Sequence, residues 1–504
     1  MKWKDIGLTM LFAFMGTLAI HYFFPGGTDT PQVPVTDRHF VAPTTLQVLE
    51  PFEYDINFAE ASPTRKKEIT VVQVPYGTLQ FSNDGAILEY FGYTHHLDGK
   101  TTLLETVVPS QSKEQGAFLV VFDGLGKTPY YYDLIEKIEL DRTTILTYKG
   151  ASSAALVLKK FTVHHATPVI DVQVTVEPLN AEVRPRLFFP APHLISDTLA
   201  TINAVLASGT TIEKTAIKEL AKVGVEKPTI FGLENKYFAQ VLFKDPEQFA
   251  QRAYFKTDQE TVQAILQGTA SKERKTWNLS FYMGPQEMSL VAAVDPRLEG
   301  LLSYGWFSPI SKLLMLVLNF LYGIFKNYGL AIIVLTVLMR LVLVPFTPNP
   351  EKTRKKSAEA QKKLAYIEQR YKDNPEELSR AKEDYARKHA LPGMIGCLPL
   401  LLQAPVFIGL QRVLSHSFEL YQAPFLWIPD LSNPDPYYIF PMLFGAGLAL
   451  QLAQMGDVRQ RLVNVLLAII AASISANLSA GLTLFMCVST LAGLAHSALQ
   501  KALA

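Results

Sequence analysis

The sequence predicts a polytopic α-helical membrane protein with six transmembrane helices and a β-sandwich domain outside the membrane. Three observations predict it. The first is composition. Of 504 residues, 49% are hydrophobic and 18% charged, against about 25% charged in ordinary soluble domains. Mean hydropathy is +0.15. The second is distribution. Long apolar runs occur at the start and after Leu301, and none of spanning length lies between. The third is a change of period. The middle alternates apolar and polar residues, as in Ile170-Asp171-Val172-Gln173-Val174-Thr175-Val176, which is the pattern of a half-buried strand. Ample apolar content and a net charge of +1 exclude a disordered chain and a nucleic-acid binder driven by bulk charge. Two cysteines exclude a disulfide scaffold and a four-thiolate zinc site.

The N-terminal segment 1–25 reads as an anchor. Ile6 to Phe24 holds no Lys, Arg, Asp or Glu and ends in His21-Tyr22-Phe23-Phe24-Pro25, too bulky for a signal-peptide cleavage site. Lys2 and Lys4 place its start in the cytoplasm. Residues 26–34 form a Gly/Pro/Thr linker. Residues 35–300 form the sandwich. Further strands are expected at Glu68–Val74, Ala86–Tyr93, Ala155–Val163 and Trp277–Tyr282, with turns at Asn83-Asp84-Gly85, Asp98-Gly99 and Asp123-Gly124. A helical insert is expected near Thr211–Val223.

Five spans are expected within 328–504, the last two separated by a turn at Asn477–Gly481. The stretch 301–327 precedes them. Ser308-Pro309 looks like a helix start, and Lys312, Asn319 and Lys326 recur every seven residues on one face. Charge counting decides its placement. Asn349 to Pro392 carries 12 Lys+Arg and 8 Asp+Glu, whereas Ser415 to Tyr438 carries no Lys or Arg. The first loop belongs inside and the second outside. That requires 306–326 to lie on the outer surface as an amphipathic helix. The inner loop 349–392 predicts a helical hairpin. Leu364, Ile367 and Tyr371 form one seam, and Leu378, Ala381 and Tyr385 a matching one.

No catalytic motif survives inspection. Gly99-Lys100-Thr101 and Gly126-Lys127-Thr128 lack the glycine of a phosphate loop, with Thr94 and Val121 at that place. His95-His96 and His164-His165 are adjacent, so on a strand each pair points to opposite faces. Enzymatic activity, cofactor and metal are therefore not expected. Arg340 is the informative residue. It lies within Leu330–Pro345, where an arginine costs on the order of 2.5–3.5 kcal/mol. No other span holds an interior Asp or Glu to pair with it. Snorkelling to the interface is the alternative to function. Thr336 lies one turn earlier, Gln403 in the third span, and Ser473, Ser475 and Ser489 in the last two. Together they suggest a wet cavity open to the cytoplasm. Small residues such as Ala492 and Gly493 allow the last helices to pack closely.

Gly396-Cys397-Leu398-Pro399, Gln403-Ala404-Pro405-Val406-Phe407 and the loop from Ala423-Pro424-Phe425 to Asp435-Pro436-Tyr437-Tyr438 resemble the YidC-type membrane protein insertases (the Oxa/YidC family). The resemblance is specific across about 300–500, and the order of parts is similar to the Gram-negative form. It implies a five-helix insertase core, a periplasmic domain of super-sandwich type and an inner-membrane chaperone without a nucleotide requirement. Both termini would be cytoplasmic and residues 26–327 periplasmic. Arg340 would attract acidic residues of a client, Thr336 would contact the passing helix and Gln403 would keep the groove polar. Ser489 belongs to the same groove. Phe485 and Met486 stand where relatives carry aromatic client contacts. The partners implied are nascent membrane proteins, the phospholipid bilayer, Sec translocon subunits, the ribosome and signal-recognition machinery, with no specific nucleic acid. The competing readings are a secondary transporter, which would need a path through both leaflets, and a membrane-tethered sugar-binding protein.

Overall fold

The computed structural model describes residues 46–48, 66–302 with short interior stretches excepted, 308–343, 363–372, 375–388, 404–415, 417–453 and 458–503. The expected anchor 1–25, the linker 26–34 and Gln403 lie outside the described residues. The chain divides into two compact units, Val35–Ser303 and Tyr304–Ala504, the latter grouped with Met1–Pro34.

The first unit is built from three antiparallel sheets. A nine-stranded sheet runs in spatial order β13 (Glu213–Ala216), β12 (Asn203–Ala207), β15 (Ile230–Glu234), β16 (Phe238–Lys244), β19 (Lys275–Pro285), β10 (Val169–Pro178), β9 (Ala155–His164), β8 (Thr143–Ala151) and β7 (Tyr132–Glu139). A six-stranded sheet runs β1 (Leu46–Val48), β14 (Val223–Glu226), β17 (Arg252–Asp258), β18 (Thr261–Gln267), β11 (Arg184–Pro190) and β6 (Leu119–Asp123). The third runs β2 (Ile69–Val74), β3 (Gly77–Ser82), β4 (Ile87–Leu97) and β5 (Lys100–Val107).

Alternation explains the register. Val172, Val174 and Val176 of β10 are buried, while Asp171, Gln173 and Thr175 are partly exposed. The polar set pairs across strands, with Gln173 Nε2 donating to Asn278 Oδ1 at 2.8 Å and Thr175 hydroxyl bonding that of Thr276 at 2.9 Å. Between the small and six-stranded sheets sits a core of Ile87, Leu119, Val121, Phe188, Tyr254 and Ile265. The expected helical insert near Thr211–Val223 is corrected at 213–216, which form strand β13 along β12. The edge of the large sheet offers ladder hydrogen bonds that outweigh the helix propensity of so short a segment. There Lys214 Nζ pairs with Glu234 at 2.8 Å and also donates to the Leu301 carbonyl. Helix α1 (Met288–Val294) and a 3-10 turn (Pro296–Leu302) close the unit.

The second unit is helical. Its elements are α2 (Ser308–Phe325), α3 (Tyr328–Leu343), α4 (363–370), α5 (Pro375–Lys388), α6 (404–415), α7 (Ile439–Ala453), α8 (Val458–Ser475) and α9 (Ala480–Leu503). By length and composition, α2 and the 480–498 part of α9 can cross a membrane, and α3, α7 and α8 contain shorter apolar stretches. A left-handed Lys326 (φ 52°) ends α2, and Asn327 Oδ1 accepts the Leu330 amide to start α3. The Tyr322 and Tyr328 rings stack across this turn at 4.0 Å. Leu364 and Ile367 of α4, Tyr371 just after it, and Leu378, Ala381 and Tyr385 of α5 are half-buried. Lys382 and Glu368 join the two helices at 2.6 Å.

Candidate functional site

Helix α9 packs against both α3 and α7, and α8 packs against α7. Small residues permit this. A Cβ on Gly445 would stand 2.7 Å from Ala472 Cβ, and one on Gly447 would stand 3.0 Å from the Thr490 methyl. Asn464 of α8 donates to the Leu452 carbonyl of α7 at 2.9 Å, a polar tie between two apolar helices.

Arg340 stands near the C-terminal end of α3, half-buried. Its Nε donates to Ser489 Oγ of α9 at 2.9 Å. One helical turn beyond Ser489 comes Gly493. A Cβ there would lie 3.7 Å from Arg340 Nη2 and 3.4 Å from Gln451 Nε2 of α7. Three helices thus bring a guanidinium, a hydroxyl and a carboxamide around one glycine. Among the described residues no carboxylate forms an ion pair with Arg340. The guanidinium presents a fixed fork of donors, of which the Ser489 hydroxyl takes one among the described residues. Such a group attracts an anion that comes to it.

The other expected site residues fall as follows. Thr336, on the same face as Arg340, is fully buried, and its hydroxyl donates to the Ile332 carbonyl of its own helix at 2.6 Å. Ser489 is buried against Arg340. Phe485, one turn before Ser489, is buried, whereas Met486 is half-buried. Gln451 was missed as a site residue, although a lone carboxamide in an apolar helix is a visible signal. Gly493 was read for close packing only. Its second role, leaving room for the Arg340 head, needs three helices in place and has no sequence signature.

At the opposite end of the same helices, the 417–438 loop packs on Gly329 of α3 and on the start of α9. Asp430 accepts from the Ser432 amide and hydroxyl at 2.8 and 2.7 Å and from Asn433 Nδ2 at 2.9 Å. Asp435 accepts from Trp427 Nε1 at 3.2 Å and from the Tyr437 and Phe440 amides at 3.0 and 2.8 Å. The loop carbonyls of Asn433 and Leu431 accept the Ala480 and Gly481 amides, the unsatisfied donors at the start of α9. The loop is therefore fixed to the start of α9 by hydrogen bonds that a sequence reading sees only as an acidic loop.

A second polar cluster lies in the β unit. An open cleft of about 330 Å³ is lined by Lys160, Asp171, Lys244, Glu247 and Asn278 among others. Burial pushes the Asp171 carboxyl up, but hydrogen bonds from His164 and Ser280 win and hold it below the usual value. Its acceptors are engaged by His164 at 2.8 Å, and those of Glu247 by the Asn278 amide and side chain at 2.9 Å each. His193 is exposed and not part of this cleft.

Comparison with known proteins agrees in both units. Residues 320–502 match the family described as 60Kd inner membrane protein, and residues 78–317 match the family described as YidC periplasmic domain. A protein of Geobacter sp. (strain M21) named membrane protein insertase YidC is 36% identical over 225 residues, which is 43% of this chain and 41% of that relative's length. The one of Geobacter metallireducens is 27% identical over 435 residues, 81% of each chain. The solved structure titled active YidC insertase, with its first transmembrane domain resolved, covers 88% of this chain and 94% of its own at 18% identity and TM-score 0.37. With one family model on the β unit and the other on the helical unit, the chain belongs to the YidC family of membrane protein insertases.

Proposed function

We propose that the chain inserts membrane proteins into the inner membrane and helps them fold, with the Arg340 site as the place where a client's charged segment is received. One observation carries the reading. Arg340 is anchored by Ser489 and has no carboxylate of its own among the described residues. An intramembrane arginine without a resident counter-ion is stabilised when an acidic client segment supplies one. Gln451 and Ser489 keep the surroundings polar. Half-buried Met486 offers the client helix an adaptable apolar surface, while Phe485 and Thr336 support the two helices from behind.

The membrane placement proposed is an N-terminal anchor starting in the cytoplasm, residues 26–327 on the periplasmic side, and five further spans ending inside. Partners proposed are nascent membrane proteins and bilayer lipid, with Sec translocon subunits, the ribosome and signal-recognition machinery as assisting factors. Gln403, on a segment outside the described residues, is proposed to extend the polar lining.

The test is site-specific photocrosslinking from position 486 to a nascent single-span client in native membranes. Crosslinks that vanish when the client helix is made strongly polar support the reading. A folded protein that yields none there sinks it.

A further inference from the structure

The 417–438 loop contains a feature that its ties to α3 and α9 do not require. Phe425 and Ile428 exchange two backbone hydrogen bonds, each 2.9 Å. They enclose a two-residue hairpin turn of Leu426 and Trp427. Leu426 takes φ 53°, the left-handed region where such turns favour glycine. An L side chain there is strained. Leu426 is also 73% exposed, the highest value for any large apolar residue described. Leaving a leucine in water rather than burying it forfeits its favourable transfer free energy. In water the turn would carry both costs.

The direction of Leu426 is fixed by its neighbours. Phe425 packs on Gly329 so closely that a Cβ there would lie 2.0 Å from the ring. Trp427 is held by Asp435 and lies against the Phe440 ring at 4.7 Å. The same Asp435 carboxylate binds the Tyr437 amide, so the tip is tied to a second corner. There Tyr438 is also left-handed (φ 57°), and Tyr437 and Tyr438 are 63% and 57% exposed. Helix α7 then begins and exposes Met442 and Leu443. The loop has no Lys or Arg to hold it in water. Asp430 and Asp435 are buried as acceptors of the loop's own donors.

We propose that this loop docks into the outer lipid leaflet, with Leu426 among the acyl chains and Tyr437 and Tyr438 at the headgroup level. An acyl environment removes the exposure cost of Leu426, and tyrosines with an apolar ring and a polar tip suit the interface. The lack of basic residues and the inward use of the two aspartates leave no charge at the tip to oppose entry. Lipid is favoured over a protein partner because the apolar surface continues along the chain into the exposed side of α7.

The proposal rests on the membrane placement of the helical unit, and its test separates the two. Single cysteines at Leu426, Leu443 and Lys149 are placed in the full chain with Cys397→Ser and Cys487→Ala. Each is nitroxide-labelled, reconstituted in phosphatidylethanolamine–phosphatidylglycerol vesicles and relaxed by oxygen or by a water-soluble nickel chelate. Oxygen should dominate at 426 and 443, and nickel at the exposed β8 position 149. Nickel dominating at 426 while oxygen dominates at 443 overturns the docking alone. Nickel dominating at both overturns the membrane placement. A label at 426 shielded from both reagents means that protein covers the tip, and this also overturns the proposal.

Discussion

In the proposed function, Arg340 acts through charge and through the space left for it. If the charge alone attracts the client, Arg340→Ala impairs insertion of clients with acidic outer segments and Arg340→Lys does so much less. Equal loss in both variants would instead point to the guanidinium fork. Quantitative insertion assays with paired acidic and neutral clients decide between them. The space is set by Gly493. A single methyl fits, because a Cβ there meets Gln451 and Arg340 at 3.4 and 3.7 Å, ordinary contact distances. Gly493→Ala should therefore insert clients almost normally. Gly493→Val carries two further methyl groups into the same space, displaces the Arg340 head and loses activity toward acidic clients first. Equal activity of both variants would count against the crowding argument.

At the scale of the element, α2 has three faces rather than two. With about 100° per residue, Ser311, Leu314, Met315, Leu318 and Leu321 form the buried face, and Leu313, Leu316, Phe320 and Ile324 an exposed apolar stripe. Lys312 and Asn319 lie between them. A helix lying at an interface needs one face for protein, one for lipid and one for water. A spanning helix has no use for the third. Asn319→Cys should thus react with a membrane-impermeant maleimide added from the periplasmic side. A mid-helix residue that resists labelling until detergent is added would make α2 a span. In the β unit, the β9–β10 pair gives a pH-dependent element. The hydrogen bond to Asp171 raises the pKa of His164 against a smaller opposing effect of burial. A raised pKa means that the histidine's contribution is full below its unfolded value of about 6.5 and is lost as pH rises through the raised value. Asp171, held low, loses its contribution only as pH falls through its own lowered value, below about 4. Both groups are over a third exposed, so the effect is below about 1 kcal/mol. His164→Ala should lower the melting temperature slightly near pH 5 and not at all near pH 9. An equal difference at both ends would assign the effect to packing instead.

At the scale of the whole β unit, one buried lysine joins all three sheets. Lys159 of β9 is fully buried. Its Nζ donates to the carbonyls of Gly85 at 2.7 Å, Ala86 at 3.2 Å and Phe118 at 2.9 Å. The first two belong to the turn between β3 and β4, and Phe118 precedes β6. Ala86 and Phe118 both take left-handed backbone, φ 44° and 70°, which turns these carbonyls toward one point. The Tyr132 ring lies 5.0 Å from the ammonium. Burial holds the lysine well below the usual amine range. Lys159→Met keeps the chain length and removes the donors, leaving buried acceptors unpaired. The unit should lose about 1–3 kcal/mol in denaturant unfolding of the full chain followed by circular dichroism. An unchanged midpoint would mean that the three carbonyls have other partners.

The sequence by itself determined what depends on local order. Alternation put Val172, Val174 and Val176 on the inner face of β10, because successive strand side chains must point oppositely. The i, i+3, i+7 seams around Leu364 and Leu378 were legible for the same kind of reason, as was the break at Asn477–Gly481 between α8 and α9. Arg340 was legible as a residue out of place, since an arginine in an apolar run carries its own cost. Tertiary structure alone decided what depends on residues far apart in the chain. The segment 213–216 became a strand because an edge of the large sheet was there to pair with. Ser489, Gln451 and Gly493 met Arg340 because α9 lies between α3 and α7, and no spacing within one helix encodes that meeting. Leu426 was held outward because Phe425, Trp427 and Asp435 are fixed against Gly329 and Phe440. Local periodicity is set by backbone geometry within a few residues, whereas a site among helices is set by how closely their backbones can approach.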